Sequence, residues 1–165
     1  MKYSHIVWVT FDSWLPHEKR GDWKDLADFY QSLERDFIVN FSKPLQNNYT
    51  KIQKPTQLIL SSSDQEILKK EIVELAINDG IAGGLEIISI GLTANGVHLL
   101  IRGAFSEKKQ KLSRLKSRSA TLLNYTNGLT EISAKYTWSK GFWVAEFNEH
   151  HDVFKIKNYI NQQCA

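Results

Sequence analysis

Two short segments, far apart in the chain, carry residue types from which a phosphodiester-cutting site can be built. Asn95-Gly96-Val97-His98-Leu99-Leu100-Ile101 puts an imidazole on an apolar strand just after a turn, and imidazole is a common ligand for divalent metals. Lys157-Asn158-Tyr159-Ile160-Asn161-Gln162-Gln163 puts a phenol and an amide four residues apart, on one face of a helix that also includes Lys155. A tyrosine can attack a phosphodiester to give a covalent phosphotyrosyl intermediate, and a metal beside the phosphate can polarise it and orient it for in-line attack. The phenol's ordinary pKa of about 10 calls for a nearby cation to favour the phenolate, which Lys155 could supply in part. Each residue also has a plain structural reading. His98 can be a hydrogen-bonded histidine on a half-buried strand, and Tyr159 can pack its ring beneath an amphipathic helix.

A third segment bears on binding. From Lys108 to Arg118 the cations Lys108, Lys109, Lys111, Arg114, Lys116 and Arg118 follow one another with no acidic residue between them, interleaved with Ser113 and Ser117. Such a helix suits DNA phosphates, which accept from arginine forks and serine hydroxyls without sequence being read. A solvated helix face is the alternative. Trp8, Trp14, Trp23, Trp138, Phe142 and Trp143 are candidates for stacking on unpaired bases, although most such residues belong to a core.

The elements that position these groups follow from pattern. His5 to Phe11 predicts a strand, stopped by the polar stretch Asp12 to Gly21. Leu26, Phe29, Tyr30, Leu33, Phe37 and Ile38 recur at helical spacing over Trp23 to Phe41, and residues 42–57 predict a loop. Ser63 and Glu66 suggest a capping box for a helix that stops at Gly80. Leu85 to Leu92 is a nearly continuous apolar run that predicts a central strand covered on both faces, and Asn95-Gly96 predicts a two-residue hairpin leading into Val97 to Arg102, where His98, Leu100 and Arg102 share one face. A helix over Glu107 to Asn124, an aromatic strand or hairpin over Tyr136 to Phe147 broken at Gly141, and a helix marked by Val153, Ile156 and Ile160 complete the order. The sequence predicts an α+β fold in which helices back one face of an antiparallel sheet.

The 165 residues suit a single domain, residues 1–165, with 42% hydrophobic residues to form its core. A net charge of +3 is too small to establish nucleic-acid binding by itself, so the clustering of the cations has to carry that argument. The lone Cys164 cannot form an internal disulfide, and the start lacks the long apolar core of a leader. No stretch reaches the length of a membrane span. A cytoplasmic protein without membrane association is expected.

Taken together, these segments resemble the HUH-superfamily single-tyrosine transposases, the bacterial insertion-sequence and REP-associated enzymes that nick and rejoin single-stranded DNA. His5-Ile6-Val7-Trp8-Val9-Thr10, then Trp14-Leu15-Pro16 and Arg20-Gly21, is similar to the family's N-terminal strand and loop. Ala94-Asn95-Gly96-Val97-His98-Leu99-Leu100 stands where the family has Asn-His-Val-His-Leu-Leu. Ser113-Arg114-Leu115-Lys116-Ser117-Arg118 resembles its Leu-Lys-Ser helix, Trp138-Ser139-Lys140-Gly141-Phe142 its Trp-x-Arg-Gly-Phe segment, and Tyr159 with Gln163 its ending. The resemblance implies a ferredoxin-like HUH endonuclease domain, Tyr159 as nucleophile, His98 and Gln163 as ligands of Mg2+ or Mn2+, and single-stranded or hairpin DNA as substrate. It also implies a homodimer in the insertion-sequence branch, where the tyrosine helix can act on the partner's metal site, whereas the REP-associated branch includes monomers. One residue departs from the pattern: Gly96 holds the place of the first histidine, which leaves His5, His17, His150 or His151 to substitute. A degenerate relative that binds DNA without cutting it is the alternative function.

Overall fold

The computed structural model describes residues 1–11, 23–33, 38–41, 58–127, 137–148 and 150–163. In chain order the elements are β1 (Tyr3–Val9), α1 (Lys24–Ser32), β2 (Ile38–Phe41), α2 (Ser62–Asn78), β3 (Ile87–Thr93), β4 (Gly96–Arg102), α3 (Phe105–Thr126), β5 (Trp143–Phe147) and α4 (His150–Gln163). Five strands form one antiparallel sheet in the order β2-β5-β1-β4-β3. Without the edge strand β2, the order β5-β1-β4-β3 is that of a ferredoxin-like β-α-β-β-α-β fold. The expected loop 42–57, the Trp14-Leu15-Pro16 and Arg20-Gly21 segment, His17 and Cys164 lie outside the described residues.

Alternation along the central strands divides the interior in two. Ile6 and Trp8 of β1 and Val97, Leu99 and Ile101 of β4 point to one side, where Leu68 and Ile72 of α2 and Leu112 and Leu115 of α3 cover them. Tyr3, Val7 and Val9 of β1 and Leu100 of β4 point to the other side, against Leu26 of α1 and Ile156 and Ile160 of α4. Helices therefore cover both faces of the sheet, where the sequence predicted one. All seven residues of β1 are buried, as a strand needs when it is paired on both edges and covered on both faces.

Several boundaries differ from the sequence expectation. The predicted helix over Trp23 to Phe41 ends at Ser32, and Ile38–Phe41 pairs with β5 as the edge strand β2; the β-branched pair Ile38-Val39 suits that pairing better than a further helical turn. The capping box of α2 is Ser61 with Asp64, each side chain bonded to the other's backbone N–H, two residues earlier than Ser63 with Glu66. The turn between β3 and β4 is Ala94-Asn95, because Gly96 already pairs with Thr93. Helix α3 starts at Phe105 with no side-chain cap of its own; Glu146 on β5 accepts from the Phe105 N–H instead, a carboxylate at the positive end of the helix.

Asp79 closes α2 and ties it to α3. Its carboxylate accepts from the N–H groups of Ile81 and Ala82 and faces Arg114 Nε at 3.4 Å, which holds it down at about 2. The two backbone bonds are the leading cause. A carboxylate depressed on folding stabilises the fold fully above its ordinary pKa of 3.8, and that contribution is lost as the pH falls through about 2. Asp79→Ala is therefore expected to lower the melting temperature at pH 7 and to converge on the unsubstituted protein near pH 2; thermal melts of both proteins across that range measure it.

Candidate functional site

The register of β1 against β4 sets Val7 opposite His98 and His5 opposite Leu100, so the two histidines sit diagonally on the same face. His5 Nε2 lies 3.3 Å from His98 Nδ1. On the far side of the His5 ring, Nδ1 lies 2.5 Å from the hydroxyl of Tyr30, which α1 carries. A continuous polar chain, Tyr30 to His5 to His98, thus runs through the α1/α4 side of the core.

Aromatic rings enclose that chain. Trp143 meets the His5 ring edge-on at 5.5 Å, and Trp23 lies over His98 at 6.0 Å. The ring of Tyr159 meets both imidazoles in edge contacts, 6.4 Å from His5 and 6.3 Å from His98, while Phe29 stacks on it at 4.3 Å. Helix α4 is held there at two points. Tyr3 on β1 shares a 2.6 Å hydrogen bond with His150 in the first turn, and the Ser89 hydroxyl on β3 donates to Asn161 Oδ1 near the end.

Burial decides the charge of these groups. It pushes the His98 imidazole down to about 4, and it pushes His5 well below its ordinary value, with His98 adding repulsion. It raises the Tyr30 phenol, with Tyr159 and Asp152 contributing further. At neutral pH the site therefore presents two neutral imidazoles and a protonated Tyr30. Neutral imidazole is the form that accepts a proton or ligates a metal.

Of the residues singled out in the sequence, the structure brings together His98 and Tyr159. Gln163 is exposed at the last position of α4, and Lys155 is exposed as well, so neither joins the buried face that carries Tyr159. His150 is engaged with Tyr3, and His151 is exposed, 3.9 Å from Asp152. His5 is the histidine that reaches His98. Its position within the apolar run of β1 gave no local sign of this, because the contact depends on strand register.

Position 96 is closed to any side chain. A Cβ there would lie 2.6 Å from the Trp8 carbonyl oxygen, and the backbone of Gly96 is not in the left-handed region. The glycine is required by the close approach of β1 and not by a turn, which occupies the two residues before it. Among the described residues no group of three or more histidine, cysteine or acidic side chains gathers to hold a metal. The family's paired imidazoles on one strand are therefore not formed; nitrogen donors are available from β1 and β4 together.

The basic helix lies across the sheet, on the α2/α3 side. Lys111 donates to the Gly83 carbonyl, Arg114 faces Asp79, and Lys116 donates to the carbonyls of Ser139 and Gly141 while lying over the Phe142 ring at 4.8 Å. Burial pushes Lys116 down to about 7. These three cations tie α3 to its neighbours, and the stem of Lys108 packs against Gly103. Lys109 is exposed, and Arg118 lines an open groove of about 710 Å³ with Ser113, Ser117, Thr121 and Lys140. Trp8, Trp138, Phe142 and Trp143 are buried, and Trp23 is half-buried against His98, while Trp14 lies outside the described residues.

The model of the IS200-like transposase family matches residues 52–163. A solved structure of a candidate transposase from Deinococcus radiodurans R1 is similar at a TM-score of 0.47 and 16% identity, covering 100% of this chain and 92% of that one. No curated protein matches the chain.

Replacing Gly96 by alanine is expected to cost about 1–3 kcal/mol, because the new methyl meets backbone that cannot rotate away. Gly96→His should be at least as destabilised and should not gain metal affinity. Urea denaturation of both variants, with a manganese titration of the histidine variant, checks the pair.

Proposed function

The chain belongs to the IS200-like transposase family, and on that footing we propose that it cuts and rejoins single-stranded DNA through a covalent phosphotyrosine at Tyr159. The observation that carries this reading is the placement of Tyr159 on α4 with its ring in edge contact with the His5 and His98 imidazoles. In the reaction the Tyr159 oxygen bonds to phosphorus as the bond from phosphorus to the leaving sugar oxygen breaks. The phenol's proton leaves the nucleophile, and the leaving oxygen takes up a proton. The new ester conserves the energy of the old one, so a second strand's hydroxyl can reverse the exchange and rejoin DNA.

This family uses a divalent metal, which when bound would neutralise charge on the scissile phosphate and favour the phenolate. His98 would hold it, with His5 beside it as a second nitrogen donor, and Gln163 would add its amide oxygen only if the end of α4, where it is exposed, turned toward the site. His98, a neutral imidazole beside the Tyr159 ring, is also a candidate acceptor for the phenol's proton. The site is closed as described: Tyr159 is 8% exposed and Phe29 covers its ring. Productive binding of a strand then requires α1 or α4 to move, and a tyrosine helix that acts on a second copy of the chain would satisfy that need.

The groove beside Arg118 and Lys140 suits DNA held away from the cut, because it lies on the opposite side of the sheet from Tyr159. Its hydroxyls and cations match a phosphate backbone.

Incubated with a single strand from the flanks of its own gene and a divalent metal, the protein should form an adduct that survives denaturation. Tyr159→Phe should abolish the adduct while leaving the melting temperature within a few degrees; an adduct of unchanged yield would remove Tyr159 from the mechanism. Arg118→Ala with Lys140→Ala should weaken single-strand binding and reduce the log-log salt slope by roughly 0.7 for each phosphate that is no longer neutralised. Fluorescence anisotropy at several salt concentrations measures it.

A further inference from the structure

We propose that Lys116 is the keystone of the groove on the α2/α3 side: its ammonium pins the turn that carries Lys140 and, with no carboxylate to offset it, receives a phosphate oxygen of a bound DNA strand. The inference rests on the reading of that groove as a DNA surface and names the group on which binding there depends.

Three observations carry the assignment. Lys116 Nζ donates to the Ser139 carbonyl at 2.6 Å and to the Gly141 carbonyl at 2.9 Å, so one ammonium grips the backbone on both sides of Lys140. Trp138 Nε1 donates back to the Lys116 carbonyl at 3.0 Å, and the Ser139 hydroxyl ties the same turn to the Thr10 carbonyl just beyond β1. Next, an ammonium has three N–H donors and only two are used by these carbonyls, while no carboxylate pairs with Lys116 among the described residues. Finally, half-buried Lys116 lines the groove together with Arg118 and Lys140, and no acidic side chain lines it among the described residues. A charged, hydrogen-bond-accepting oxygen is what this arrangement lacks, and a phosphate supplies it.

The consequence is a binding step linked to a proton. Burial pushes Lys116 down to about 7, and a phosphate beside the ammonium opposes that push. The bound form therefore keeps its proton to higher pH than the free form. Affinity is full below about pH 7 and falls as the pH rises above it, by up to about 10-fold per unit until the bound ammonium also titrates. The charged groups nearby are Arg118 and Lys140 in the groove and, where Arg118 borders a smaller cavity of about 290 Å³ beside α2, Glu71, Glu74 and Asp79. None of them enters the shift of Lys116, which desolvation alone causes.

The full chain is titrated into a rhodamine-labelled oligothymidylate strand, read by fluorescence anisotropy at about pH 6 and about pH 8.5. The unsubstituted protein should bind several-fold more weakly at the higher pH. Lys116→Met keeps the length of the stem without the charge; it should bind more weakly at the lower pH, lose the pH dependence, and lower the log-log salt slope there by roughly 0.7. Lys116→Arg keeps its charge at both pH values and should bind equally at both, so it carries the test if the methionine variant does not fold. The proposal is overturned if the unsubstituted protein binds equally at both pH values, or if either Lys116 variant keeps the full pH dependence. Arg118→Ala with Lys140→Ala separates this from the reading beneath it: if that pair weakens binding while the Lys116 variants do not, the groove stands and Lys116 falls. If neither set changes binding, the groove reading fails and this inference with it.

Discussion

The candidate site depends on one backbone registration, Val7 opposite His98. It sets His5 and His98 on the same face of the sheet and within hydrogen-bonding reach of each other. Because side chains alternate along a strand, a slip of one residue would move His5 to the α2/α3 side and replace it with Ser4 or Ile6. Two apolar layers resist that slip. Ile6 and Trp8 fill one core while Tyr3, Val7 and Val9 fill the other, so both faces of β1 would be mismatched at once. The polar pair is thus held in place by apolar packing around it.

That packing also sets the chemistry. Imidazoles in water are partly protonated near neutrality, and a protonated ring can neither ligate a metal nor accept a proton. Here the surrounding rings of Trp23, Phe29, Trp143 and Tyr159 exclude solvent and hold both imidazoles neutral. Tyr30 satisfies the buried nitrogen that burial would otherwise leave exposed to an apolar wall. The same enclosure that prepares the imidazoles restricts access to Tyr159. Chemical readiness and openness to substrate are opposed in this arrangement.

Much of this was legible in the sequence. The alternation that faces His98 and Leu100 away from Val97 and Leu99 and the amphipathic helix under Tyr159 appear as pattern predicts, and the ferredoxin-like fold implied by the resemblance is formed; the apolar run over Leu85 to Leu92, which reads as a central strand covered on both faces, instead forms the half-buried edge strand β3. The helix predicted through Phe41 stops early because pairing with β5 outweighs local periodicity at Ile38 and Val39. The role of Gly96 was misread because turn chemistry and close backbone approach both select glycine, and only coordinates separate them. The basic run over Lys108 to Arg118 looked uncompensated in sequence, yet its acceptors are distant carbonyls and Asp79, which no local window contains. His5 and Tyr30 were hidden for the same reason: their partnership is tertiary.

The central position of β1 also bears on how the chain is made. Its two neighbours, β4 and β5, are synthesised roughly 90 and 140 residues after it, so β1 waits for partners made long after it. At ordinary elongation rates of about 5–20 residues per second the wait for β5 is on the order of ten seconds. Through that interval the apolar segment His5-Ile6-Val7-Trp8-Val9 has no completed sheet to enter, and it is the stretch a chaperone would have most reason to cover. Contacts this distant along the chain also make for slow folding. A nascent chain interrupted before Trp143 would expose one edge of β1, so the enclosure around the histidines can be completed only after β5 and α4 have been made.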